Sequence, residues 1–165
     1  MKLLGILLVL GAAPTGPSPG LRVGPTASLL GSIGGGDAGV GVSIGAKGGA
    51  RFVFSDNFGA AGTVGYEREF DGGARHLLSL SARGELLDAP RVELLFVKWA
   101  LYVQLGALMS INDNAQPRLG AGLRAGVGFM APDSKFPLVI EVNFQRQWVQ
   151  SGPISGARLF LGVGF

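Results

Sequence analysis

Most of the chain alternates between apolar and other residues with a period of two. A β-strand produces this pattern because its successive side chains point to opposite faces. In 40–54, apolar residues occupy most even positions, whereas glycine, serine, Lys47 and Arg51 occupy most odd positions. The same alternation recurs along the rest of the chain and is weakest in 21–33 and 58–70. The pattern predicts a protein built from strands.

Turn-forming residues separate the alternating segments. They cluster at 34–38, 55–57, 71–74, 88–90, 112–116, 131–135 and 150–153. Each of the first six clusters contains one aspartate, a residue whose side chain hydrogen-bonds to nearby backbone amides in turns. Seven turns predict eight strands. The fifth is the least regular, because Leu94 and Leu95 interrupt the alternation near its start.

Composition narrows the class of protein. Only 15% of the 165 residues are charged, 29 are glycine and the mean hydropathy is +0.39. Disordered chains have low hydrophobicity and high charge, which is the opposite of this composition. A glycine content this high also disfavours a helical bundle, because glycine weakens helix interiors. The absence of cysteine excludes disulfides and zinc-thiolate sites. A net charge of +3 is too small to indicate a nucleic-acid partner, and we expect none.

The first twenty residues have the features of an export signal. Met1 and Lys2 precede an apolar run from Leu3 to Leu10, and small residues follow at 11–13. A secretory signal peptide has this order, and the run is too short to span a bilayer as a helix. A buried N-terminal helix or strand is the alternative. We therefore expect 1–20 to be a signal peptide with a short leader and 21–165 to form the barrel.

The two faces of the strands suggest a membrane environment. A soluble barrel places its apolar face inside, whereas a membrane barrel turns that face to lipid. Much of the other face is glycine and it has almost no lysine, which makes it a poor solvated surface. Aromatic residues also collect at strand ends, as in the girdles of membrane barrels. One predicted girdle comprises Phe54, Phe58, Phe129, Phe136 and Phe165, and the other comprises Tyr66, Phe70 and Trp148.

Two stretches resemble known membrane barrels. The ending from Gly156 to Phe165 resembles the terminal strand of Gram-negative outer-membrane proteins, and 49–66 resembles a strand, tight turn and strand of the small barrel families. These families include the transmembrane domain of outer-membrane protein A and its relatives. The resemblance implies an all-β fold: an eight-stranded antiparallel up-and-down transmembrane β-barrel with short turns, in the outer membrane of a Gram-negative bacterium. It also implies an assembly signal for the barrel-assembly machinery, formed by Leu159, Leu161, Val163 and Phe165.

The alternation assigns most charged residues to the lumen. The main predicted network consists of Lys47, Arg51, Glu67, Glu69, Arg83, Glu85, Lys98, Arg124, Glu141 and Arg158, and Arg22, Arg75 and Arg118 fall on the same face. An eight-stranded barrel is just wide enough for side chains to fill. We interpret the network as an Arg/Glu plug, with glycines making room for the arginines. A narrow wet pore with anion preference is the alternative.

Three ionisable residues fall on the predicted lipid face, namely Arg68, His76 and Arg146. All lie near the rim opposite the C-terminus, which the resemblance makes extracellular. We expect them to contact lipopolysaccharide phosphates, and the alternative is ordinary snorkelling to water. Outer-membrane lipid and lipopolysaccharide are therefore the predicted partners.

The sequence offers no catalytic site. His76 is the only histidine, and Ser79 points to the opposite face of its strand. We find no metal-ligating cluster and expect no cofactor. The predicted function is a non-enzymatic structural or membrane-integrity role, and the alternatives are a narrow pore and a secreted lipocalin-like barrel. The oligomeric state stays open, as does a protein-binding role for the 95–105 face around Trp99.

Overall fold

Eight strands close into a single barrel. The computed structural model describes residues 21–37, 39–70, 74–87, 99–112, 119–131, 137–149 and 152–165. Its strands are β1 Arg22–Gly36, β2 Gly39–Val53, β3 Phe58–Phe70, β4 Ala74–Leu86, β5 Ala100–Asn112, β6 Leu119–Met130, β7 Leu138–Val149 and β8 Gly152–Gly164. Each pairs antiparallel with the next, and β8 pairs with β1. The predicted up-and-down barrel of eight antiparallel strands is confirmed. Residues 1–20, with the predicted signal peptide, lie outside the described part.

The apolar face of the strands is the outer one. Ile44, Leu105 and Phe144 are 69%, 69% and 66% exposed. Their polar neighbours Ser43 and Asn143 are buried inside. A lipocalin-like barrel needs the opposite arrangement, with its apolar face inward.

The described residues contain no helix that is long and apolar enough to cross a membrane.

Exposed aromatic side chains mark both ends of the barrel. Phe54, Phe58 and Phe165 are exposed at one end, and Tyr66, Phe70 and Trp148 are exposed near the other. Phe129 also lies on the outer face, whereas Phe136 is outside the described residues. Between these two sets the outward side chains are mainly aliphatic.

The fifth strand begins later than the alternation suggested. β5 starts at Ala100, and 88–98 are outside the described residues, including Lys98. Trp99 precedes the strand and is only 7% exposed. The alternation groups Trp99 with Val103 and Leu105, which are exposed, and its burial departs from that pattern. Trp99 and Ala100 are consecutive and both buried, so the period of two does not continue through this position.

The glycine run at 34–36 is not a turn, contrary to the sequence-based prediction. It belongs to β1 and pairs with both β2 and β8. A Cβ added at Gly34 would overlap the backbone oxygen of Ala157. Glycine is therefore needed here because β1 and β8 approach closely. Only two residues separate β1 from Gly39, the first residue of β2, whose φ of 98° lies in the left-handed region.

Close strand approach gives a testable difference between two glycines. A Cβ added at Gly49 would overlap the Gly62 backbone oxygen, whereas one at Gly62 would meet no atom within 4 Å. We expect Gly49→Ala to lower the free energy of unfolding by about 1–3 kcal/mol, because the backbone must shift. Gly62→Ala should change it by less than about 0.5 kcal/mol. Urea titration of both folded variants measures the difference, and equal midpoints would contradict the close approach.

Candidate functional site in the barrel lumen

Four glutamates point into the lumen and are buried there. Glu67 and Glu69 lie on β3, Glu85 lies on β4, and Glu141 lies on β7. A buried carboxylate is costly unless it is paired and hydrogen-bonded. Each of these four has at least one cationic partner.

Glu141 is the centre of the densest polar cluster. Lys47 Nζ donates to Glu141 Oε1 at 2.7 Å, and the Tyr102 hydroxyl donates to Oε2 at 2.8 Å. Gln104 and Asn143 also donate to this carboxylate. Lys47 is on β2 and Glu141 is on β7, which are not neighbouring strands. The Lys47–Glu141 ion pair therefore spans the lumen.

A second ion pair crosses the lumen between β6 and β3. Arg124 binds Glu67 through both terminal nitrogens, and the Nη2–Oε2 distance is 3.0 Å. Arg124 Nη2 also donates to Gln145 at 3.1 Å. A bidentate guanidinium–carboxylate pair is geometrically specific. It constrains both strands, because both side chains are fully buried.

The remaining carboxylates each face two arginines. Glu69 lies 2.7 Å from Arg158 and 3.3 Å from Arg75. Glu85 lies 2.6 Å from both Arg51 and Arg83. These two clusters lie toward opposite ends of the lumen, since Glu69 is near the end of β3 and Glu85 pairs with Gly59 at its start. The ion pairs therefore extend along most of the lumen.

Phe160 is a lumen residue that the sequence reasoning did not single out. Its ring lies 5.4 Å from Lys47 Nζ and 5.1 Å from Arg124 Cζ. It thus contacts the cations of both cross-lumen pairs, as cation–π interactions allow. It also packs in an inward apolar cluster with Leu30, Tyr102, Met130 and Val139. Phe160 and the inward Arg158 both occupy even positions on β8, so the alternation could have placed Phe160 in the lumen.

The predicted network residues that the structure describes lie in the lumen. Arg22 was also assigned to the lumen, and that assignment is wrong. It is the first residue of β1 and bonds to the highly exposed Asp56 at 3.1 Å, in the turn before β3. Arg22 is at the very end of its strand, where the side chain is no longer enclosed by the barrel, so alternation alone misplaces it. Lys98 and Arg118 are outside the described residues.

The three predicted lipopolysaccharide contacts are on the outer face but do not form one cluster. Arg68 and His76 lie directly opposite each other on β3 and β4. The Tyr66 hydroxyl lies 2.5 Å from His76 Nδ1. Arg146 is on β7, between Leu123 and Ser155 of the neighbouring strands. Its guanidinium lies 5.9 Å from the Trp148 ring.

The predicted assembly-signal residues also face outward. Leu159, Leu161 and Phe165 are exposed, and Val163 is partly exposed. They alternate with the inward Arg158 and Phe160 on β8.

The described residues show no catalytic constellation. His76 is outside the barrel, and Ser79 is buried inside it. Within those ranges no group of three or more His, Asp or Glu could hold a metal ion. Two lumen cavities near the ion pairs have volumes of about 20 and 10 Å³. Such spaces are close to the size of one water molecule.

Solved structures share this architecture. Neisserial surface protein A matches with a TM-score of 0.60 and 16% identity, over 88% of this chain and 97% of that protein. The N-terminal β-barrel domain of Pseudomonas aeruginosa OprF matches with a TM-score of 0.56 and 16% identity, over 85% and 97%. Ail, the attachment invasion locus protein of Yersinia pestis, matches with a TM-score of 0.54 and 18% identity, over 90% and 100%.

The fold is that of the small outer-membrane β-barrels. The transmembrane fold class predicted from the sequence is therefore confirmed. The identities are low, so the likeness is one of fold. No protein-family model and no curated protein matches the chain.

The Lys47–Glu141 pair gives a second prediction. Glu141→Gln leaves the Lys47 charge in the lumen without its carboxylate, and we expect a loss of about 3 kcal/mol in unfolding free energy. The double variant Lys47→Met with Glu141→Gln should recover most of that loss, because no lone charge remains. Urea titration of the folded barrel measures both.

The exposed Arg22–Asp56 pair is the matched control. Asp56 is 95% exposed, so Asp56→Asn should cost less than about 0.5 kcal/mol. If Glu141→Gln cost no more than this control, the cross-lumen pair would not stabilise the barrel.

Proposed function

We propose that the protein is an integral outer-membrane β-barrel of a Gram-negative bacterium with a structural, membrane-integrity role. The observation that carries the proposal is the inverted arrangement, with an apolar outer face and an ion-paired interior. Water would not stabilise so much exposed Leu, Ile, Val and Phe, whereas a bilayer would. The shared fold with three outer-membrane barrels supports the same location. The export signal in 1–20 and the assembly signal on β8 belong to this proposal.

The lumen is proposed to be plugged rather than conducting. Both cross-lumen ion pairs and Phe160 lie in the path that an ion would follow. The lumen cavities noted above hold about one water each. A hydrated ion would have to separate buried charges from their partners, which is costly in a poorly hydrated interior. These contacts favour a plug over the narrow-pore alternative.

A non-enzymatic role agrees with the positions of the ionisable groups. Each described lumen carboxylate is occupied by arginine or lysine, so none is poised to exchange a proton with a substrate. The segments joining β1 to β2 and β7 to β8 contain only 37–38 and 150–151. Such short connections offer little surface for a receptor or adhesin, functions that long loops usually carry.

Fractionation and heat-modified gel migration test the location and the fold. We expect the mature chain in the outer-membrane fraction, with a faster band in SDS without boiling and a slower band after boiling. A folded barrel resists SDS because its backbone groups are paired around the closed sheet. Recovery as a soluble protein without detergent would overturn the proposal.

Planar-bilayer recording tests the plug. The wild-type barrel should show no steady single-channel steps. The double variant Glu67→Ala with Arg124→Ala should show them, because it removes the fully buried bidentate pair and leaves space for water. Leu105→Ala, on the outer face, is the control and should stay silent. Steady steps from the wild-type protein would favour the narrow-pore alternative.

A further inference from the structure

The outer surface is not uniform around the barrel. Across β4 to β8, large side chains face small ones on the neighbouring strand, as in Leu80 opposite Ala107, Leu123 opposite Ala107, and Phe144 opposite both Ala125 and Ala157. The small residues leave space between the large ones. The result is an open apolar groove of about 1180 Å³.

Arg146 borders this groove and differs from the arginines of the lumen. Among the residues that the structure describes, it has no carboxylate partner, and its guanidinium lies over Trp148. It is two residues nearer the middle of β7 than Trp148, an aromatic of the type that marks a membrane interface. A cation at that depth needs an anionic partner or must snorkel to water.

We propose that the groove and Arg146 form one binding site for a phosphorylated lipid with several acyl chains, of the lipid A type. The inference rests on the proposed outer-membrane location. The acyl chains pack between the large side chains of β4 to β8, and a head-group phosphate accepts hydrogen bonds from Arg146. Neighbouring strands lie about 4.8 Å apart, so a groove that extends from Leu80 on β4 to Ala157 on β8 is wide enough for more than one acyl chain.

Charge favours a lipid over a second copy of the chain as the occupant. Two identical barrels in one membrane share the same depth and orientation, and a twofold contact places the same patch on both sides. Two Arg146 side chains would then approach each other at a poorly hydrated depth, and like charges there repel. An anionic lipid instead supplies the missing negative charge.

The structure also separates this site from the other outward cations. Arg68 and His76 lie on β3 and β4, and His76 already contacts Tyr66. Neither residue lines the groove. Arg68 therefore provides a matched control, since it is also an outward arginine stacked on an aromatic ring, that of Phe70 at 5.5 Å.

Native mass spectrometry of the folded barrel in detergent tests the proposal. The probes are lipid A with both phosphates, its dephosphorylated form, and inorganic phosphate as a competitor. Arg146→Gln should weaken binding of phosphorylated lipid A by about tenfold, the loss of one charge-assisted contact. Binding of the dephosphorylated form should change little. Inorganic phosphate should compete poorly, because it lacks the acyl chains.

A second pair of variants tests the groove itself. Ala125→Leu fills the space beside Phe144 and should weaken both lipid forms by about fivefold. Ala46→Leu, on β2 outside the groove, is the matched control and should change neither. Both substitutions place apolar atoms on the outer face, and unchanged heat-modified migration confirms that each variant folds.

The outcomes separate this inference from the proposed function. If Arg68→Gln weakens binding as much as Arg146→Gln, the lipid binds the outward cations in general, and the groove is not a specific site. If neither variant alters binding, Arg146 snorkels to water and the inference is wrong, although the barrel stays in the outer membrane. A dimer that lipid A does not displace would assign the groove to a second copy. Failure of the proposed location would appear earlier, as a soluble protein.

Discussion

Closure of the sheet is the constraint on which the structure depends. In lipid, an unpaired strand edge would leave backbone groups without hydrogen-bond partners. Each unpaired group would cost several kcal/mol, because a polar amide would be buried without a partner. β1 and β8 remove that edge. Their pairing extends to Phe165, whose backbone exchanges hydrogen bonds with Ala27 at 2.8 and 3.2 Å. Gly34 and Gly36 let these two strands approach closely.

Closure with eight strands creates the lumen and also limits it. The interior has room for side chains but little else, so each large inward residue needs a small one beside it. Gly128 lies beside the Tyr102 ring, and Gly45 lies beside Glu67, where a Cβ would overlap the neighbour. The inward glycines were expected to make room for arginines. Arg158 does lie beside Gly34, whereas Gly45 and Gly128 make room for a carboxylate and a tyrosine. Packing and charge pairing are therefore satisfied together.

The same geometry explains why the two surfaces carry different chemistry. Inside, every buried glutamate binds a cation, the two cross-lumen ion pairs join strands that are not neighbours, and the Phe160 ring contacts the cations of both. Outside, the exposed side chains are mainly aliphatic, and Arg68 and Arg146 lie toward one rim. Alternating large and small residues on β4 to β8 add a feature that a uniform lipid-facing surface would lack. The proposed lipid site therefore lies outside the lumen and does not require the lumen to open.

Local periodicity determined the number of strands and the direction of most side chains. Each residue's face depends only on its position within a strand, so 40–54 and most of β4 and β6 to β8 could be assigned directly. This reasoning failed where a strand ends, as at Arg22 and Trp99, because alternation does not show where pairing stops. The glycines of 34–36 were misassigned because their cause lies on β8.

Only the tertiary structure decided which groups meet. Lys47 and Glu141 are 94 positions apart, and Arg124 and Glu67 are 57 apart. Both pairs form because closure brings non-neighbouring strands face to face across a narrow lumen. The contact of Phe160 with two cations, and the position of Arg146 beside a groove, have the same origin. By itself the sequence determined the faces of the barrel; the partners across it depend on strand register and curvature, which no local pattern encodes.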